Sequence, residues 1–175
     1  MRRSFILLSL LTFTFFGCSP STDSGNIEEA VGKVAPNFTY TSLDGQQISL
    51  SQFQGKVVYL FFYGAGCPHC RSNGPVTETE INQKFNQNPN FVALGLDTWN
   101  QSASANNSFK TTTGITYTLL LNAQQSLIDY YGNTSSYDRS VVIDADGNIA
   151  YQGSNFVDTD ATAVANVIQT KLSEI

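Results

Sequence analysis

Four consecutive residues, Cys67-Pro68-His69-Cys70, could carry chemistry. Two thiols with two residues between them can share one disulfide. An apolar run, Val57 to Tyr63, precedes the pair, and a stretch rich in acidic and amide residues follows it. That order puts a dithiol at a strand-to-helix junction. There the unpaired N–H groups and the positive end of the helix dipole favour a thiolate, and cysteines so activated titrate at roughly 3.5–7.5. Pro68 suits the first helical turn, where a missing N–H loses no bond. His69 is the only histidine in the chain. As an imidazolium beside Cys67 it would favour the thiolate further; otherwise it is a plain surface residue. The pair could instead be a structural disulfide or half of a zinc site, but the sequence has no second ligand pair. Attachment of a c-type haem needs His directly after the second cysteine, and Arg71 stands there.

At 175 residues the chain has room for one domain, and 41% hydrophobic residues are enough for a packed core. The net charge is −5, more negative still without Arg2 and Arg3. No block of Lys and Arg exists, which argues against nucleic acid as a partner, because phosphate binding needs clustered positive charge. The 12 Phe and 8 Tyr are read as core and sheet residues. With three cysteines in all, there is no disulfide framework and the fold must hold by its core.

The third cysteine, Cys18, is explained by an address. Arg2-Arg3 precedes an apolar run, Phe5 to Phe16, too short to span a bilayer comfortably and suited to a signal peptide over residues 1–17. The run ends in Phe15-Phe16-Gly17-Cys18, which resembles a bacterial lipobox with Phe15 where Leu is usual. Lipidation of Cys18 would consume its thiol. A free thiol or a resolving cysteine are the other readings. Residues 18–30, with Ser19 to Gly25 rich in Ser and Gly, would be a flexible tether. Residues 31–175 would be the folded domain. This layout predicts a protein of the cell envelope, lipid-anchored to a membrane and facing outside the cytoplasm.

Behind the dithiol stand the elements that must position it. Pro36 to Leu50 has the alternation and the Asp44-Gly45 turn of a hairpin. Val57 to Tyr63, apolar without alternation, predicts a central strand covered on both faces, in a parallel position. Gly64-Ala65-Gly66 allows the sharp turn before Cys67. A helix is expected from about Pro68 to Gln87, kinked at Gly74-Pro75. Phe91 to Leu96, ending at Asp97, Thr116 to Leu121, and the pair Ser140–Asp144 and Asn148–Gln152 around Asp146-Gly147 read as strands. Helices are expected over Ser102–Thr113 and Ala123–Tyr131, and in a last segment capped by Thr159. The alternation predicts an α/β fold: a mixed central sheet with helices on both faces and an N-terminal β-hairpin.

From about Val31 onward the chain resembles the thioredoxin-like thiol–disulfide oxidoreductases of bacterial cell envelopes, the TlpA/ResA-like branch that borders the peroxiredoxins. Val31-Gly32-Lys33-Val34-Ala35-Pro36-Asn37-Phe38 matches the family's first strand. Gly55-Lys56-Val57-Val58, the Cys67-to-Arg71 motif and Val142-to-Gly147 match its later landmarks. Three positions depart from it. Gly66 replaces the usual Trp before the first cysteine. Asn73 replaces a Glu that can handle protons. Asp138 stands where the fold usually has a cis-proline that shapes the substrate groove.

The resemblance implies that Cys67 is exposed and attacks a substrate disulfide, and that Cys70 resolves the mixed disulfide. It implies protein thiols and disulfides as partners, an upstream redox partner that resets the pair, and no cofactor or metal beyond the Cys67–Cys70 disulfide itself. The Pro68-His69 dipeptide, shared with DsbA-type oxidases, implies an oxidising or isomerising poise. Tyr137, Asp138 and Arg139 should border the groove. Asp97 ends a strand where it could take the Cys70 proton or merely shape a turn, and Trp99 is either a rim contact or packing. Two rival functions use the same thiols. A peroxiredoxin-type peroxidase would want Thr at Gly64 and a Pro within Tyr59 to Phe62. A copper-delivery protein would want a distant His or Met, and the only Met is Met1.

Overall fold

A computed structural model describes residues 30–175. The signal-peptide segment, Cys18 and all of the tether but Ala30 lie outside the described residues. Strands β1 (Thr39–Thr41) and β2 (Gln47–Ser49) form the expected hairpin, followed by a 3-10 turn, Leu50–Phe53. The main sheet has β3 (Val57–Tyr63), β4 (Phe91–Asp97), β5 (Thr118–Leu120), β6 (Arg139–Ile143) and β7 (Ile149–Gln152), in the order β5-β4-β3-β6-β7. The helices are α1 (Pro68–Val76), the short α2 (Gln83–Phe85), α3 (Ala103–Thr113), α4 (Gln124–Tyr131) and α5 (Val157–Ser173).

β3 is central and every residue in it is buried. It is parallel to β4 and antiparallel to β6, so the parallel position expected for it holds on one side and the expected mixed sheet is the one found. Burial on both faces, which the unbroken apolar run reports, does not depend on the neighbours' direction. Val57, Tyr59, Phe61 and Tyr63 face a core that also takes in Ile81, Phe109, Val164 and Ile168. Val58, Leu60 and Phe62 face a second core with Leu127, Tyr130 and Phe38. Side chains alternate across a strand, so one run serves both layers. Each fully buried apolar side chain contributes about 1.5–3 kcal/mol.

Pro75 lies inside α1, and beyond it the helix widens into a π-helical stretch, Thr77–Asn82, before α2. Proline removes one bond of the i→i−4 ladder, and the wider turn follows. β5 is shorter than expected because the Glu78 carboxylate accepts the Thr116 N–H at 2.9 Å and its hydroxyl at 2.8 Å. α5 begins at Val157, not after Thr159: the Thr159 N–H already bonds the Phe156 carbonyl, and the preceding Phe156 offers no side-chain cap.

Candidate active site

The dithiol sits where the sequence places it, at the C-terminal end of the central strand. Cys67 is the N-cap of α1, with φ −74° and ψ 122°, and Pro68 occupies the first turn. The Cys70 N–H donates to Cys67 Sγ at 3.2 Å, the kind of bond a thiolate at a helix start receives. Both cysteines are free thiols. Cys70 is fully buried, and its thiol is pushed far up from its ordinary range. Burial is the largest cause, followed by its hydrogen bond to Cys67; a backbone bond from Gly64 acts the other way, and Cys67 and Asp138 add like-charge repulsion.

Cys67 is 1% exposed, which corrects the expectation of an open sulfur. The side chain turns inward and joins the aromatic cluster under α1, while Gly66 and Pro68 on either side of it are exposed. The indole of Trp99 lies on the turn just before it: a Cβ on Gly64 would come within 2.4 Å of the ring, and one on Gly66 would meet it at 3.7 Å. Trp99 in turn packs edge-on against Tyr137, with ring centroids 5.0 Å apart. Both aromatics are half-buried against the cluster that contains the two cysteines. As the structure stands, Cys67 is closed to a substrate sulfur.

Asp97 is buried and its carboxylate is fully engaged. Oδ1 accepts the N–H groups of Ala65 (3.4 Å) and Trp99 (3.3 Å), and Oδ2 accepts the Gln101 N–H (2.7 Å) and the Asn106 amide (2.9 Å). It ties the glycine turn to the Trp99 loop, which is the turn-shaping role rather than that of a proton acceptor for Cys70. Asn106 extends the network by accepting the Tyr63 hydroxyl at 2.6 Å.

Asp138 is buried with φ +58°, in the left-handed region that Asp tolerates better than most residues. Its N–H donates to the Phe62 carbonyl at 2.6 Å, and its Oδ2 accepts the Asn73 amide at 2.8 Å. Burial raises its carboxyl from 3.8 to about 6, against the lowering effects of Asn73, Arg139 and His69. The exposed His69 ring is stacked on Phe156, with centroids 5.1 Å apart and planes at 4°. The Arg139 guanidinium lies 4.6 Å from the same ring and donates to the Tyr137 and Asp138 carbonyls. Phe156 thus clasps the start of α1 to the start of β6. Sequence reasoning missed it; the one signal was an aromatic in the otherwise polar Gly153-Ser154-Asn155 approach to α5. Among the described residues no three His, Cys, Asp or Glu are grouped to hold a metal ion.

A sulfur at a helix N-cap, a second sulfur one turn inside, and a mixed sheet ending at that point define a thioredoxin-like thiol–disulfide oxidoreductase. The chain belongs to the Redoxin family, whose sequence model matches residues 30–168. It is 31% identical over 123 residues to the thiol-disulfide oxidoreductase ResA of Bacillus anthracis, covering 70% of this chain and 68% of the relative. The ResA of Bacillus subtilis is 25% identical over 147 residues, covering 84% and 80%. Among solved structures, a candidate protein disulfide isomerase from Bacteroides thetaiotaomicron superposes with a TM-score of 0.72 at 30% identity, covering 82% of this chain and 90% of that one. A candidate thiol:disulfide interchange protein DsbE from Chlorobium tepidum shares the fold, with a TM-score of 0.68 at 24% identity over 81% and 97% of the two chains.

Proposed function

We propose that this protein exchanges disulfides with cysteines of other proteins outside the cytoplasm, held to a membrane through lipid on Cys18. Cys67 attacks a substrate disulfide and releases one substrate thiolate. Cys70 then attacks Cys67 Sγ, releases the second thiolate and leaves the Cys67–Cys70 disulfide. An upstream partner returns the pair to its starting state. Run in reverse, the steps oxidise a substrate dithiol. Tyr137, Arg139 and Trp99, all half-buried, form the wall that a substrate chain would meet, with Asp138 buried behind them. The single supporting observation is the Cys67 sulfur capping α1 and accepting the Cys70 N–H, with a free thiol one turn behind it. The envelope location rests on the sequence of residues 1–17, the lipobox-like Cys18 and the likeness to ResA.

Trapping tests the reading. Incubated with a disulfide-bonded protein, Cys70→Ala should accumulate a covalent adduct that a reductant dissolves, and Cys67→Ala should form none. A wild-type chain that leaves a model protein disulfide untouched would overturn it.

A further inference from the structure

The resolving step has an unmet need. Cys70 attacks as a thiolate, yet it is fully buried and its ionisation is opposed by burial first. Some group must take its proton. Asp97 has no lone pair to spare, and Asn73, one turn beyond Cys70, is an amide that takes no proton.

We propose that Asp138 is the base that removes the proton of Cys70 in this step. Asn73 lies three residues beyond Cys70 on α1, hence one turn further along the same face. Its amide holds Asp138 Oδ2 at 2.8 Å. Oδ1 is buried and has no hydrogen-bond partner among the described residues. A buried carboxylate oxygen left open is costly unless it does something. The Asp138 charge is among the groups that oppose ionisation of Cys70, the least of them, so the two share one electrostatic neighbourhood. Other groups that act on Asp138 are Arg139 and His69, which favour its charge, and Asp158, which disfavours it; Tyr59 feels it from β3.

The timing also fits. In the free dithiol, Cys67 raises the barrier to ionising Cys70, both as a hydrogen-bond acceptor and as a like charge. Once Cys67 is in a mixed disulfide it no longer carries that charge. The Cys70 S–H proton then passes to Asp138 and the sulfur keeps the electron pair. The S–S bond between Cys67 and Cys70 forms, and the bond between Cys67 and substrate breaks. The substrate sulfur leaves as a thiolate, so the substrate gains two electrons and the dithiol loses two. A carboxyl near 6 is mostly ionised at neutral pH and close enough to it to return the proton afterwards.

This inference rests on the exchange reading, and one experiment separates the two. The full chain carrying Cys18→Ser is mixed with the symmetric disulfide of nitrothiobenzoate, which reports each step as a coloured anion. The first anion reports attack by Cys67, the second resolution by Cys70. Asp138→Asn keeps the shape, and Asn is at home at positive φ. It should leave the first phase within about twofold and slow the second by roughly 100-fold or more, the usual scale of general-base catalysis. The swap variant, Asn73→Asp with Asp138→Asn, puts the carboxylate on the other side of the same hydrogen bond and should recover most of the second phase. In the wild type the second phase should fall as pH drops through about 6; with Asp138→Asn it should instead climb with rising pH, without that step. If no anion is released by the wild type, disulfide exchange itself fails. If both phases of Asp138→Asn match the wild type, or if the wild-type second phase is flat between about pH 5 and 8, exchange stands and Asp138 is not the base. That pH profile decides the matter even if Asp138→Asn does not fold.

Discussion

At the residue scale the site joins an amide and a carboxylate from two distant segments. The Asn73 amide on α1 holds the carboxylate of Asp138, which comes from the approach to β6. Such an arrangement should have a stability signature. The Asp138 carboxyl is raised from 3.8 to about 6, chiefly by burial, so the folded state favours its neutral form. Between those two values the folded chain binds more protons than the unfolded one, and stability falls as pH rises. The penalty is absent below about 3.8 and complete above about 6. Asp138→Asn should therefore melt with the wild type at low pH, and a few degrees higher at neutral pH, in the dithiol form, as scanning calorimetry across that window would read. A neutral-pH melting point equal to or below that of the wild type would mean that the carboxylate is better solvated than its burial implies. Positions 73 and 138 stand out only through the family resemblance, whereas the dithiol and Pro68 are legible in the sequence from spacing along one chain. The meeting of Asn73 with Asp138 is not. It joins residues far apart in sequence, through a loop whose positive φ has no signature beyond the Asp itself. The burial of Cys67 is hidden for the same reason, because Trp99 and Tyr137 come from elsewhere.

At the element scale the turn between β3 and α1 is held from outside. Asp97 at the end of β4 bonds the Ala65 N–H, and Trp99 from the following loop lies flat on Gly64. Gly66 brings no side chain of its own to the position before the first cysteine, and this indole lies over the same turn. Gly64 is glycine because of that close approach: a methyl group there would overlap the ring at 2.4 Å. The sequence marks Gly64-Ala65-Gly66 as a sharp turn, but neither glycine has a positive φ, and what Gly64 supplies is space. Gly64→Ala should displace the indole and cost about 1–3 kcal/mol, the usual range for overpacking. Trp99 is the only Trp, so its emission reads the displacement directly and should move to longer wavelength as the ring gains water. The same variant should open the way to Cys67 and speed its first reaction with a thiol reagent. Unchanged emission together with unchanged thiol reactivity would show that the ring yields without leaving the turn.

At the scale of the whole molecule, the order β5-β4-β3-β6-β7 leaves two edges, and the same N-terminal segment covers both. The class of fold and most of its elements were readable from periodicity and turn residues, because both are local. This covering was not, because a lone apolar alternation does not say which edge it will lie against. Near its start the segment runs along β7: the Gly32 N–H donates to the Ile149 carbonyl, the Ile149 N–H to the Lys33 carbonyl, and the Ala35 N–H to the Gly147 carbonyl. It then crosses to β5, where the Leu43 N–H donates to the Leu119 carbonyl and the Leu121 N–H to the Thr41 carbonyl. On the way, Phe38 joins the core beneath β3, and the Tyr40 hydroxyl accepts from Ser126 at the start of α4. Uncovered edges present free N–H and C=O groups that pair with other chains. A chain beginning at Ser51 should therefore keep the dithiol and its strand but expose both edges and the Phe38 side of the core. Its unfolding in urea should show a smaller slope than that of a chain beginning at Ala30, because less surface is buried on folding. It should also scatter light at concentrations where the longer chain does not. A chain beginning at Pro36 keeps the hairpin and frees only the β7 edge, so it should fall between the two; equal slopes for all three would mean that the sheet closes without its N-terminal wrap.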